Sequence, residues 1–285
     1  MTTPFDTTPL VSAAAITRAS RAVIDNAMAG DFPIDPIIGP DLSKSLSVIN
    51  SVVKRHGLML QKSLADALAA TGRFEVLTEV ALPITEAANA LLASQNSDRD
   101  LAKIKLKADS AVLRMVTVDL IVVETEAGWA GVYEVKRGNG ATESARRRPI
   151  EHGLKAARLV VADYLSKLGY EGIRNVTSAV IDVYGASGFS KDLKVTGEEL
   201  DEHFGVPVLA TLEAVTAELH RTLFAEMRGL LAPTLASLSK VPAKTDVTVV
   251  APTRQVGREE AVEDSMVRIL KARPSGPGPW RGRVV

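Results

Sequence analysis

The segment from Met115 to Arg137 limits the fold more than any other part of the chain. Two runs rich in β-branched residues, Met115 to Val123 (MVTVDLIVV) and Gly131 to Arg137 (GVYEVKR), flank a polar turn that contains Gly128. Such runs favour pleated strands, and so short a polar link joins them as an antiparallel hairpin. A hairpin symmetric about Glu126 and Ala127 sets Asp119 opposite Glu134 and Thr117 opposite Lys136. Strand side chains alternate between faces, so Glu134 and Lys136 share one side while Tyr133 and Val135 point to the other. Two carboxylates facing each other at ~5 Å destabilise a sheet unless something positive lies between them. A divalent cation meets that need. Carboxylates are hard oxygen ligands, and Mg²⁺ typically keeps several waters while binding one or two of them together with substrate phosphate oxygens. The other reading is a solvated strand face on which acids and a lysine form an ion-pair ladder, and spacing alone does not separate the two. Asp119 favours the metal, because it interrupts an apolar strand where an unpaired carboxylate is costly to bury.

The rest of the chain arranges itself around this hairpin. Residues 1–40 read as an N-terminal helical appendage, with an Ala-rich helix from Leu10 to Met28 broken by the turn-rich DFPIDPIIGP. A domain over 41–240 follows. Leu46, Ile49, Val53, Leu60, Leu64 and Leu68 recur at helical spacing, with Gly57 in the same stripe and Gly72 placed to stop the helix. Phe74 to Leu82 reads as a strand, and Glu86 to Asp109 as a polar stretch with some helical character. After the hairpin come a Gly/Arg-rich loop, a helix from Leu154 to Leu168, and a strand from Thr177 to Tyr184. A last long helix, Leu209 to Leu231, presents Leu212, Val215, Leu219, Leu223, Met227 and Leu230, which suits packing on the sheet or a helix-to-helix contact, the sheet being favoured. Residues 241–285, rich in Pro, Arg and Thr, read as a flexible tail with one short helical stretch at Glu259 to Lys271.

Composition narrows the chemistry. The chain has 285 residues, 46% of them hydrophobic, enough to bury a core. Its 34 basic and 34 acidic residues cancel, so any affinity for nucleic acid has to come from a local patch. Cysteine is absent, which removes disulfides, thiolate zinc sites and cysteine nucleophiles and fits a reducing cytoplasm. No secretory signal or membrane-spanning run is visible in the sequence, so the expected location is cytoplasmic. A local basic patch does exist. From Lys136 to Arg158 seven residues are basic (Lys136, Arg137, Arg146, Arg147, Arg148, Lys155 and Arg158) against two acids, Glu143 and Glu151. Such a run either grips a nucleic-acid backbone or solvates a loop. His152 is a further phosphate contact or a structural histidine, and Glu79, Glu124 and Glu126 are spare acids.

The motifs VDLIV, carrying Asp119, and YEVKRG, carrying Glu134 and Lys136, resemble the PD-(D/E)xK nuclease superfamily, the restriction-endonuclease-like fold. The resemblance spans about Ser47 to Gly185. It implies an α/β (α+β) protein with an αβββαβ core, a mixed sheet flanked by helices, and N- and C-terminal helical extensions. It also implies a Mg²⁺- or Mn²⁺-dependent deoxyribonuclease, an endonuclease of restriction, repair or mobile-element type. Asp119, Glu134 and the Val135 carbonyl would hold the metal, and Lys136 would position water. Arg137, Arg146, Arg147, Arg148, Lys155 and Arg158 would line the DNA. The chain departs from the family at two points. Val118 precedes Asp119 where proline is common, and Gln61 stands where many members carry a helix glutamate, so the catalytic set is Asp119, Glu134, Lys136 and Gln61. The alternative is a weak or inactive nuclease fold that binds DNA or assembles proteins. Assembly as a homodimer, or with a partner protein through the terminal helices or tail, is compatible with either.

Overall fold

Apolar residues spaced by three or four positions build long helices in this chain, and alternating ones build a single sheet between them. The computed structural model describes residues 7–240 except 95 and 102. The elements are α1 (Ala13–Met28), α2 (Gly39–Ala70), β1 (Glu75–Thr85), α3 (Glu86–Ala93), α4 (Asp98–Leu101), β2 (Val112–Glu124) and β3 (Trp129–Lys136). After them come α5 (Ser144–Lys167), β4 (Asn175–Asp182), β5 (Lys194–Thr196), α6 (Leu200–Phe204) and α7 (Leu209–Leu238). The strands lie side by side in sequence order. β1, β2 and β3 are antiparallel neighbours, whereas β4 and β5 continue the sheet in parallel with β3. The result is an α+β protein with a mixed five-stranded sheet flanked by helices. A parallel pair needs a crossover, and α5 supplies it between β3 and β4.

Both faces of the central strands are covered, which explains the unbroken apolar run Leu120–Val123. Leu120, Val122, Tyr133, Val135, Ala179 and Ile181 pack in one core with α2, α1 and α7. Ile121, Val123, Ala130, Val132 and Val180 pack in a second core with Leu154, Ala157, Val161 and Leu165 of α5. The N-terminal segment 1–40 contributes α1 to the first core through Ile16, Ile24 and Ala27. The tail expected over 241–285 lies outside the described residues. Among the described residues no helix is long and apolar enough to cross a membrane.

Three expectations are corrected. The first long helix starts at Gly39, with Pro40 in its first turn where a missing N–H costs nothing, so the end of DFPIDPIIGP opens a helix instead of a loop. Its buried side runs through Val48, Val52, His56, Leu60, Leu64 and Leu68, which leaves Leu46 and Val53 exposed. The arginine-rich segment is not a loop. α5 begins at Ser144, ten residues before the expected start, because the Glu143 carbonyl accepts the N–H groups of Arg146 (2.9 Å) and Arg147 (3.0 Å), and Pro149 is carried inside the helix. Finally, α7 packs chiefly on α1 and α2 and not on the sheet. Ser45 Oγ fixes the last of these contacts by donating to the Leu230 carbonyl at 3.1 Å and meeting Thr234 Oγ1 at 3.0 Å.

Candidate metal and phosphate site

The hairpin register decides what can meet at its open end. β2 and β3 pair from Glu124↔Trp129 to Leu120↔Tyr133, the register that the sequence predicts. Regular pairing stops there, one rung before Asp119 and Glu134. Instead of a backbone carbonyl, Asp119 Oδ2 accepts the N–H of Val135 at 2.6 Å. The carboxylate thus replaces a ladder bond where the two strands part.

A backbone irregularity in β1 lies beside this point. Thr78 pairs with Leu120 and Val80 with Val118, so Glu79 stands across from Asp119. Glu79 has φ +52°, in the left-handed region that a residue with a Cβ seldom adopts. The alternation of faces slips in both strands as a result. Leu77 and Val80 both turn toward α5, as do Val118 and Ile121, although each pair is three residues apart. Asp119 sits at the slip, which frees its side chain from either face and lets it reach along the sheet to β3.

Three further side chains complete the group. Lys136 Nζ donates to Glu134 Oε1 at 2.5 Å, and the Glu134 side chain keeps 16% of its exposure. Gln61, on α2, directs Nε2 to the Asp119 backbone carbonyl at 3.5 Å. Burial raises the Asp119 carboxyl above its ordinary range, and Glu79 adds to the shift, while the Val135 N–H and Lys136 oppose it. Burial also raises Glu134, with the Asp119 charge as the next cause, against the pull of Lys136. Two half-buried carboxylates therefore repel each other with one lysine between them. Hard oxygen donors short of positive charge fit a divalent cation of the Mg²⁺ class. Among the described residues no group of three or more His, Asp or Glu side chains gathers closely enough to hold a metal. Glu124 and Glu126 lie at the turn end of the hairpin, away from this group.

The basic run divides into different roles. Arg147 Nη1 donates to the Gly188 carbonyl and braces the loop after β4. Arg146 is exposed beside Glu143 at 3.9 Å. Arg148 is exposed and forms no ion pair with the described residues. Lys155 and Arg158 are half-buried and have partners of their own. The Arg137 guanidinium carbon lies 5.5 Å from the centre of the Tyr184 ring.

Two supports escaped the sequence. Asp182 is fully buried and accepts the N–H groups of Gly185 (3.1 Å) and Ser187 (3.0 Å) and the Ser187 hydroxyl (2.5 Å). A Cβ on Gly138 would fall 1.6 Å from Asp182 Oδ1, so only glycine at φ +72° lets the strand leave Lys136 this closely. Asp182 pairs in register with Lys136, which ties the turn after β4 to the site strand. The second support is His56, buried on α2, with Nε2 3.2 Å from Thr216 Oγ1 on α7. Burial, and then the charge of Arg137, push its pKa down to about 4. A histidine in an apolar helix stripe was the signal available for it. Asp182 had none beyond its place before Val-Tyr-Gly.

Compared with known proteins, the chain matches no family model, no curated protein and no solved structure.

Proposed function

We propose that the chain is a divalent-metal-dependent phosphodiesterase of the PD-(D/E)xK type that acts on DNA. The observation that carries this reading is the pair of desolvated carboxylates, Asp119 and Glu134, held where β2 and β3 separate and sharing the cation Lys136. With the short helices α3 and α4 taken as an insertion between β1 and β2, the order α2, β1, β2, β3, α5, β4 is compatible with the αβββαβ core of that superfamily. Asp119, Glu134 and the carbonyl of Val135 would hold Mg²⁺ or Mn²⁺, which when bound would neutralise phosphate charge and make a water more acidic. Around it the chain's own groups have separable tasks. Asp119 fixes β3 through the Val135 N–H, Lys136 supplies a positive charge to orient a phosphate or the attacking water, and Gln61 restrains the backbone of Asp119. Arg146 and Arg148, exposed at the start of α5, would meet the DNA backbone.

One observation favours a second reading, a nuclease fold that binds DNA without cutting it. Gln61 brings no charge, and its amide is turned to a backbone carbonyl. The two readings part in one assay. The protein is incubated with duplex, single-stranded and branched DNA in Mg²⁺ and in Mn²⁺, beside Asp119→Ala. Cleavage by the wild type alone supports the enzyme, binding without cleavage supports the module, and neither binding nor cleavage sinks both.

A further inference from the structure

A second positive site lies on the α5 side of the sheet, away from the carboxylates. α5 places Arg148, His152 and Lys155 at helical steps of four and three, so they share one stripe. With Leu92, Asn96 and Leu101 they line a cavity of about 270 Å³. Glu151 also reaches this cavity, but its Oε1 accepts the Ser190 N–H at 3.3 Å and is thereby drawn toward the loop after β4. β2 closes on the same stripe. The position of a Cβ on Gly153 would be 3.2 Å from Val116 Cγ1, and the charge of Arg114 acts on His152 to lower its pKa, after burial as the main cause.

Arg114 and Arg148 are exposed, and neither forms an ion pair with the described residues. Lys155 has a partner of its own, so the site rests on the two arginines. Guanidinium groups match phosphate oxygens with two parallel hydrogen bonds, and the His152 imidazole on the same stripe adds a ring N–H donor. The polar cavity is too small for a folded partner and large enough for a phosphate with its sugar.

Its spacing from the carboxylates is set by β2. Arg114 and Asp119 are five residues apart on one strand, and a strand rises ~3.3 Å per residue, so they are separated by ~17 Å. A DNA duplex advances ~3.4 Å per base pair along its axis, so that distance spans about five base pairs. We propose that Arg114, Arg148 and His152 form a second phosphate seat that grips the backbone of the substrate duplex about five base pairs along its axis from the bond presented to Asp119 and Glu134. This rests on the nuclease reading and adds a length requirement to it: the substrate is a polynucleotide with a stacked arm, not a short end or a free nucleotide.

The test is fluorescence anisotropy in chelator, with labelled DNA hairpins whose stems lengthen from about 3 to about 12 base pairs, a range that brackets the expected arm. Wild-type affinity should rise by at least about tenfold once the stem passes about six base pairs, the point at which a second pair of phosphate contacts becomes available. Arg114→Ala combined with Arg148→Ala should erase that rise and reduce the salt slope on long stems by roughly two. Both residues are exposed, and a thermal melt checks that the variant is folded. A gain with length that persists in the variant would overturn the seat and leave the nuclease reading standing. So would displacement of the long stem by a mononucleotide at a similar concentration, which would mark a site for free nucleotides. Failure of the wild type to bind any stem would remove the seat together with the reading beneath it.

Discussion

The β2–β3 hairpin carries a half-buried glutamate at each end, and the fold treats them oppositely. Glu124, beside the turn, and Glu134, where the strands part, have the same side-chain exposure, 16%. Glu124 is met by a whole guanidinium: Arg73 donates from Nε at 2.6 Å and from Nη2 at 3.0 Å, and the same arginine lies 4.8 Å above the Phe74 ring. Glu134 shares one lysine with a second carboxylate. Burial alone therefore does not mark a site. What distinguishes the open end is unneutralised negative charge, held there by a strained Glu79 and a slipped strand. The sheet places a bidentate arginine at one end and leaves a surplus of negative charge at the other, the charge that the proposed cation would neutralise.

The largest expected difference between the ends is catalytic. On the proposed nuclease reading, Asp119→Ala, Glu134→Ala and Lys136→Ala should each lower DNA cleavage by at least about a hundredfold with the fold intact, since they would act as one unit. Glu124→Ala should leave the rate within about twofold, on the same reasoning. Initial rates on one duplex in Mg²⁺ decide it, and a folded Lys136→Ala with wild-type activity would remove that residue from the mechanism.

Next in size is the response to metal in the absence of DNA. A ligand that binds only the folded state at tenfold its dissociation constant stabilises it by about 1.4 kcal/mol, so Mg²⁺ or Mn²⁺ should raise the melting temperature of the wild type by a few degrees. Asp119→Asn keeps an oxygen for the Val135 N–H and removes a charge. It should melt above the wild type in EDTA and gain much less from metal. A wild type indifferent to either ion up to about 10 mM would end the facing-carboxylate site, because a site with few protein ligands should be well filled there.

The sequence made the hairpin and its register legible, because β-branched runs and a short polar turn leave little freedom. It set Asp119 opposite Glu134 for the same reason, although regular pairing ends one rung earlier, at Leu120↔Tyr133. The slip at Glu79 was hidden, since left-handed glutamate has no compositional signature. So was the early start of α5: three arginines and Pro149 in its first turns oppose the usual acidic helix start, and the helix is held by the Glu143 carbonyl instead. α7 showed an apolar stripe but not its partner, because periodicity reports that a face is buried and not what covers it.

Acid should separate the ends further. His56, on the helix above the open end, has a pKa near 4 in the fold against 6.5 when free. The unfolded chain therefore takes up its proton first. The stability this group contributes is complete above 6.5 and is lost as pH falls toward about 4. The raised carboxyls of Asp119 and Glu134 act with the opposite sign: they favour the fold when protonated, and that favour is lost as pH rises through their folded values. His56→Gln can still reach Thr216 and does not titrate. Melts in EDTA between neutrality and mild acid should show a shallower fall for the variant than for the wild type. Parallel curves would mean that His56 is solvated when charged and takes no part in the acid response.

The smallest effect sharpens the comparison most, because it tests the neutralised end by the measure used for the open one. Glu124→Gln keeps the shape of the side chain and deprives Arg73 of its charged partner. An ion pair near the surface is worth ~0–1 kcal/mol, and the bidentate geometry places this one toward the upper part of that range. The variant should melt slightly below the wild type, by up to about 4 °C, and by the same amount in EDTA as in Mg²⁺. Arg73→Lys should behave alike, since a lysine keeps the charge and loses the fork. The sign is what matters. At the turn end, removing a negative charge strands a cation and destabilises, whereas at the open end Asp119→Asn relieves a repulsion and stabilises. If Glu124→Gln also raised the melting temperature in EDTA, negative surplus would be a property of the whole hairpin, and the open end would lose the feature that singles it out for a metal.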